Sequence, residues 1–271
     1  MMEPLEVYQK INKIIHSIYT SRLKIQILLS LSGGVKTLST LREVTGSTSQ
    51  ALIPKIRGLE KLSLVEPIEH GYTLTPLGRI VTTRIEDFII TLGSIYQQKE
   101  FWSTHDIEGI PRSFLGEIGD LLESELKFDT TTDILHVYSD YVKMLKEATF
   151  IKGISSVMSP GLAEALTERV IAGIPVDLIL NASVLDILKQ EPYLSQIQKL
   201  LEFPNFRIWV TEDLLRIGIT VTDKHLSLGL NRIDGKMYDS STDLNSDSPK
   251  AIEWGQRLFQ YFQDRSRILK L

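Results

Sequence analysis

Three side chains suited to nucleic-acid chemistry recur at helical spacing within residues 49–62: Gln50, Arg57 and Lys61. Together with Pro54 they form one stripe of a helical wheel. Leu52, Ile56, Leu59 and Leu62 form the opposite stripe, the one a core would take. A glutamine amide pairs with adenine edges and an arginine guanidinium with guanine edges in a major groove. Lys61 suits a phosphate better than a base. Ser47, Thr48 and Ser49 stand at the helix N-terminus, where hydroxyls and free backbone N–H groups suit phosphate. Lys36 is a further candidate DNA contact. The alternative reading is a protein-interaction module, in which the same stripe meets an acidic partner without specific DNA binding.

The elements around this stripe give it a frame. Residues 5–18 and 21–31 read as apolar helices, the second stopped by Gly33-Gly34. Residues 37–45 read as a short helix with Gly46 as its stop, and "STSQ" caps the next. Residues 64–68 and 72–75 are short strand candidates around His70-Gly71, a hairpin signal. Thr75-Pro76 opens a long helix toward Lys99. Four helices, a hairpin and a helix is the order of a winged helix-turn-helix over 1–90. Pro54 removes an N–H near Gln50 and strains Ile53, so the reading helix is expected to be tightened or kinked in its first turn. Gly58 is expected to weaken its far end.

Residues 91–131 hold several breakers and read as a helical linker region. From 132 to 271 helices and strands alternate as βαβαβββα. This predicts an α/β domain with parallel pairs and an antiparallel end, a mixed sheet. The last helix is read over 249–269.

Charge divides with this organisation. The chain of 271 residues carries a net −4, but residues 1–90 hold 11 Lys and Arg against 8 Asp and Glu, a net of +3. Residues 91–271 hold 19 against 26, a net of −7. A mildly basic head on an acidic body argues against a general polyanion binder and is compatible with a nucleic-acid head. With no Cys there is no disulfide framework or thiolate metal site, and no apolar run reaches a membrane-spanning length. No secretory signal is evident, and a cytoplasmic location without membrane contact is expected.

In the body, the candidates for an effector pocket are Trp102, His105, Asp106, Tyr238, Asp239 and Trp254, with Ser159 opening a helix whose N-terminus suits an anion. Trp254 also fits the core. The five His residues show no metal-ligand spacing, and "DGKMYDSSTD" lacks a closing Glu for calcium, so neither a metal nor a cofactor is expected.

"LREVTGSTSQALIPKIRGLEKLSLVE…GYTLTPLGRIV" resembles the winged-helix heads common in archaeal regulators. "FWSTHDIEGIP", "TVTDKHLSLGLNRIDGKMYDSSTDL" and "SPKAIEWGQRLFQYFQDRS" resemble the archaeal methanogenesis-regulator family. The resemblance covers nearly the whole chain. It implies a transcriptional regulator with a winged helix that reads promoter DNA and a regulatory domain that senses an unknown small-molecule effector. By that resemblance Gln50, Arg57 and Lys61 match recognition-helix positions, and His70 and Tyr72 match the wing. A homodimer is expected, since one head contacts few bases. The body also looks like half of a phospholipase-D-like domain. Ser227 stands where such an enzyme needs Lys, so no catalytic residue is assigned and the half is expected to be non-catalytic.

Overall fold

The computed structural model describes residues 2–155, 157, 160–191, 193–235 and 237–269. The chain divides into two compact units, Met1–Ile90 and Thr91–Leu271.

The first unit contains α1 (Pro4–Tyr19), α2 (Arg22–Ser32), α3 (Leu38–Thr45), α4 (Ser49–Lys61), β1 (Val65–Ile68), β2 (Gly71–Leu74) and the start of α5 (Pro76–Gln97). Local chemistry sets each boundary. The hydroxyls of Ser21, Thr37 and Thr48 accept from Lys24, Thr40 and Ala51 N–H, so each N-cap satisfies one of the free donors of a first turn. Gly46 ends α3 at φ 63°, a left-handed conformation that favours glycine. Leu41, Leu52, Ile56 and Leu59 are buried with Ile27, Leu28 and Leu31 in one core.

Both features of α4 that looked disruptive find an explanation. The helix continues through Pro54 to Lys61. Its first turn is the tight one: Ala51 N–H and Leu52 N–H both donate to the Thr48 carbonyl, at 3.1 Å each. The helix also continues past Gly58. A Cβ there would lie 3.1 Å from Lys24 Cε, so the glycine clears the path of a side chain whose Nζ donates to Ser17 Oγ at 2.6 Å.

The second unit contains α6 (Lys99–Thr104), α7 (Arg112–Leu115), β3 (Glu125–Phe128), α8 (His136–Glu147), β4 (Ile151–Ser155), α9 (Pro160–Ile171), β5 (Val176–Asn181), α10 (Ala182–Leu188), α11 (Tyr193–Leu201), β6 (Phe206–Thr211), β7 (Ile217–Val221), β8 (Leu226–Leu230), β9 (Thr242–Ser246), α12 (Pro249–Gln263) and β10 (Arg267–Ile268). Its eight strands run in the order β10-β6-β5-β4-β7-β8-β9-β3. β4, β5 and β6 are parallel and the other pairs antiparallel, giving a mixed sheet in an α/β unit.

Three expectations change here. Residues 91–131 are not a separate linker: Phe101, Ile110, Phe114, Ile118 and Leu121 are buried in this unit's core, and β3 pairs with β9. The predicted order βαβαβββα does not contain the polar "TDLNS", which is strand β9. The final helix stops at Gln263, and Arg267–Ile268 pair with β6.

The period of two in the central strands divides the sheet into unlike faces. Ile154, Ile217, Ile219, Leu226, Leu228, Leu230 and Leu244 join α12 in one core. Their alternates on the other face are small or polar: Gly153, Gly218, Thr220, Ser227, Gly229, Asp243 and Asn245. Thr220, Ser227 and Asp243 are nonetheless buried.

Candidate nucleic-acid interface and internal cavity

The burial of α4 separates its two stripes. Leu52, Ile56 and Leu59 are at most 1 % exposed, whereas Gln50, Pro54, Arg57 and Lys61 are exposed. Arg57 is held by Glu60, its guanidinium donating to a carboxylate oxygen at 2.8 Å. That pair orients the guanidinium and competes with any acceptor Arg57 would reach. Thr48 and Gln50 are exposed at the start of the helix, and Ser47 and Ser49 are half-buried.

The hairpin of β1 and β2 closes through a two-residue turn, with Ile68 opposite Gly71. His70 in that turn is exposed; Tyr72 and Lys36 are half-buried. Lys36 and Tyr72 exchange backbone hydrogen bonds at 3.1 and 2.9 Å, so the segment before α3 forms a third, one-residue rung of the wing. Gly71 permits it: a Cβ there would lie 2.4 Å from the Lys36 carbonyl oxygen.

The candidate effector residues separate. Trp254 is fully buried in the core and its indole N–H donates to the Phe114 carbonyl at 3.3 Å. Asp106 pairs with Arg216 at 3.0 Å and caps the turn at Glu108. His105 is buried, stacks on Phe101, and its Nε2 lies 3.2 Å from Asp239 Oδ2. Trp102 packs at the edge of the same core. Ser159 lies outside the described residues. Of the set, Tyr238 and Asp239 border a common cavity, of about 540 Å³; Trp102, His105, Asp106 and Trp254 lie outside its lining.

The cavity lies over the small and polar sheet face. One part of its wall is apolar, with Leu162, Leu166, Leu178, Leu180, Ile197 and Phe206. The other carries Tyr141, Thr220, Ser227, Tyr238, Asp239 and Asp243. Tyr238 reaches over a glycine floor. Gly218 and Gly229 are opposite each other in β7 and β8, and a Cβ on either would lie 2.6 or 2.1 Å from the Tyr238 hydroxyl. Tyr141 Oη lies 2.7 Å from Thr220 Oγ1, and burial pushes the Tyr141 pKa up to about 12. Burial, with the Asp243 charge nearby, pushes Tyr238 well above the ordinary phenol value.

The two carboxylates differ in environment. Burial raises the Asp239 pKa, but hydrogen bonds from Ser241 and the His105 imidazole outweigh it and hold the group below the usual value. Asp243 is 6 % exposed and burial pushes its pKa up to about 7, against hydrogen bonds from Ser227 and Asn245. Both of those bonds end on Oδ2, at 2.6 and 3.0 Å. Among the described residues Oδ1 has no hydrogen-bond partner, and it is buried. Sequence reasoning missed Asp243, Tyr141, Thr220 and Ser227.

Comparisons with known proteins divide the chain in a similar way. A model of the methanogenesis regulatory protein FilR1 N-terminal domain matches residues 12–93, and one of the FilR1 middle domain matches residues 134–265. The chain is 29% identical over 253 residues to methanogenesis regulatory protein FilR1 of Methanothrix harundinacea (strain 6Ac). The match takes in 92% of this chain and 56% of that protein, so the chain spans about half the length of this curated relative. Among solved structures, TrmBL2, described as an archaeal chromatin protein with a novel mode of DNA binding, matches over 96% of this chain and 98% of its own, at a TM-score of 0.43 and 13% identity. Phosphatidylserine synthase of Haemophilus influenzae Rd KW20 matches over 54% and 39%, at 0.38 and 12%. These structural likenesses are too distant to carry a functional argument.

Proposed function

The chain belongs to the methanogenesis-regulator family, and from that membership we propose that it is a DNA-binding transcriptional regulator. The observation that carries the reading is α4. Its exposed stripe of Gln50, Arg57 and Lys61 stands beside a hairpin wing, on a helix whose other face is anchored in a core. In this reading α4 enters the major groove, Gln50 and Arg57 meet base edges, and Lys61 meets phosphate. Ser47, Thr48 and Ser49 hold phosphate at the helix N-terminus, and Lys36, His70 and Tyr72 place the wing on the adjacent backbone.

The regulator acts as a homodimer. α1 exposes Leu5, Tyr8, Ile11 and Ile14, and α5 exposes Phe88, Ile89, Leu92 and Tyr96. Apolar rows of that length on helices are the material of a two-fold helical interface. The α/β unit is the effector-sensing part and is not an enzyme. As a phospholipase-D-like half it is non-catalytic: His225 contacts Asp247, and Ser227 donates to Asp243 in place of a phosphate-holding lysine. An effector shifts DNA affinity only insofar as it favours one arrangement of the two heads.

A footprint on the chain's own upstream region tests the dimeric reading. The expected pattern is two protected half-sites about 10–10.5 bp apart, or a multiple of that spacing. A single protected half-site would discard the dimer. Retention of an acidic protein partner with no protected DNA would favour the interaction-module reading.

A further inference from the structure

The geometry points to the cavity of the α/β unit as a binding site for a lipophilic amine whose ammonium group is answered by the Asp243 carboxylate in its lining. The inference rests on reading that unit as the effector-sensing part, and it adds the ligand's chemical class.

Four observations carry it. The volume, about 540 Å³, falls in the ~300–1,000 Å³ range of small-molecule sites. The lining includes Ile134 and Leu135, which are 70 % and 58 % exposed, so an apolar rim meets solvent. Beyond the rim, aliphatic side chains such as Leu166 and Leu178 suit a hydrocarbon body. At the polar side, the Asp243 carboxylate is more than nine-tenths buried and, among the described residues, has no cationic partner, a costly arrangement for a charge with nothing to meet it.

Charge selects the donor. Among the described lining residues there is no Lys, Arg or His, but there are three carboxylates, Asp129, Asp239 and Asp243. Asp239 is answered by His105 and Arg232, and Asp129 accepts from the Val137 N–H. The hydrogen bonds to Asp243 come from uncharged groups, Ser227, Asn245 and the Leu244 backbone N–H. A ligand anion would enter a wall of its own sign, whereas an ammonium supplies the missing opposite charge. The phenol rings of Tyr141 and Tyr238 border the same end and add aromatic faces for a cation.

The test titrates the full chain at pH 8 with n-octylamine, n-octanol and octanoate, three probes that share a tail. Binding is followed by calorimetry. Saturable amine binding, tighter than the alcohol and at least tenfold tighter than octanoate, is expected. Asp243→Asn should weaken amine binding about 10- to 100-fold, the factor a charge-assisted hydrogen bond carries, and leave the alcohol nearly unchanged. Leu166→Trp, which fills the apolar wall without touching Asp243, should abolish both. Octanoate binding as tightly as the amine, or an Asp243→Asn variant that keeps the full preference, would overturn the assignment. So would the absence of saturable amine binding. None of these titrations contains DNA. A failed titration beside an intact footprint discards the ligand class alone, and a failed footprint beside saturable amine binding discards the regulatory reading alone.

Discussion

Replacing Asp243 by Asn isolates the energetic consequence of a buried, half-satisfied carboxylate. In the folded chain its pKa is pushed up to about 7, and an unfolded aspartate titrates at 3.8. The native state therefore holds a proton that the unfolded state releases between those values. Stability contributed by this group is present at low pH and is lost as pH rises from about 4 through 7. Three pH units correspond to a ceiling of about 4 kcal/mol. Water drawn toward the charge reduces it, and we expect roughly 2 kcal/mol. The groups around it do not blur the window: Tyr141 and Tyr238 are both raised from the ordinary phenol value and stay neutral, and Asp239 is lowered and stays ionised. Asn keeps an acceptor for Ser227 and Asn245 and carries no charge.

The assay is urea unfolding at pH 5 and pH 8, read by tryptophan fluorescence. All three Trp residues, 102, 209 and 254, fall in Thr91–Leu271, so the signal reports the α/β unit without the head. Starting at pH 5 the assay spans about two of those three units, so the wild type should lose about 1–1.5 kcal/mol relative to Asp243→Asn between the two pH values. A difference that stays constant within about 0.5 kcal/mol would refute the claim that Asp243 is buried without a charge partner.

Other expected outcomes concern the wing, the reading helix and the cavity floor. Arg57→Ala should cost roughly 1–3 kcal/mol in DNA binding and relax one base position, measured by competition with single-base variants. Lys61→Ala should weaken all sequences alike and reduce the salt slope by about 1. Gly71→Ala forces a Cβ toward the Lys36 carbonyl, so DNA affinity should fall while the helical circular dichroism is retained. Gly229→Ala pushes into the Tyr238 ring and should lower stability by about 1–3 kcal/mol in the same fluorescence assay. An unchanged stability would mean that Tyr238 does not occupy the glycine floor.

The head was legible because its boundaries are local chemistry. Thr37, Gly46, Thr48 and the Thr75-Pro76 pair act within a turn of where they stand. Pro54 and Gly58 were harder to judge, because the fate of Gly58 depends on Lys24 in another helix. In the α/β unit, β3 and β9 escaped notice for one reason. "ELKF" and "TDLNS" have weak strand character, and it is pairing with each other and with β8 that makes them strands. The cavity was concealed by parity. Thr220, Ser227 and Asp243 alternate with apolar residues, the pattern of a solvated sheet face. Only the fold shows that face to be buried. The paired glycines Gly218 and Gly229 were the available signal, since glycines inside strands often mark close approach by another group.

The measurement that bears most directly on the central claim is fluorescence anisotropy of the full chain on its own upstream DNA and on a shuffled fragment of equal length and composition. It should be made across a salt series. Affinity for the upstream fragment should be higher by a factor of about 10³ or more near physiological salt. That preference should shrink sharply in Gln50→Ala/Arg57→Ala. Equal affinity for both fragments, falling together with salt, would contradict the assignment of α4 as a sequence-reading helix.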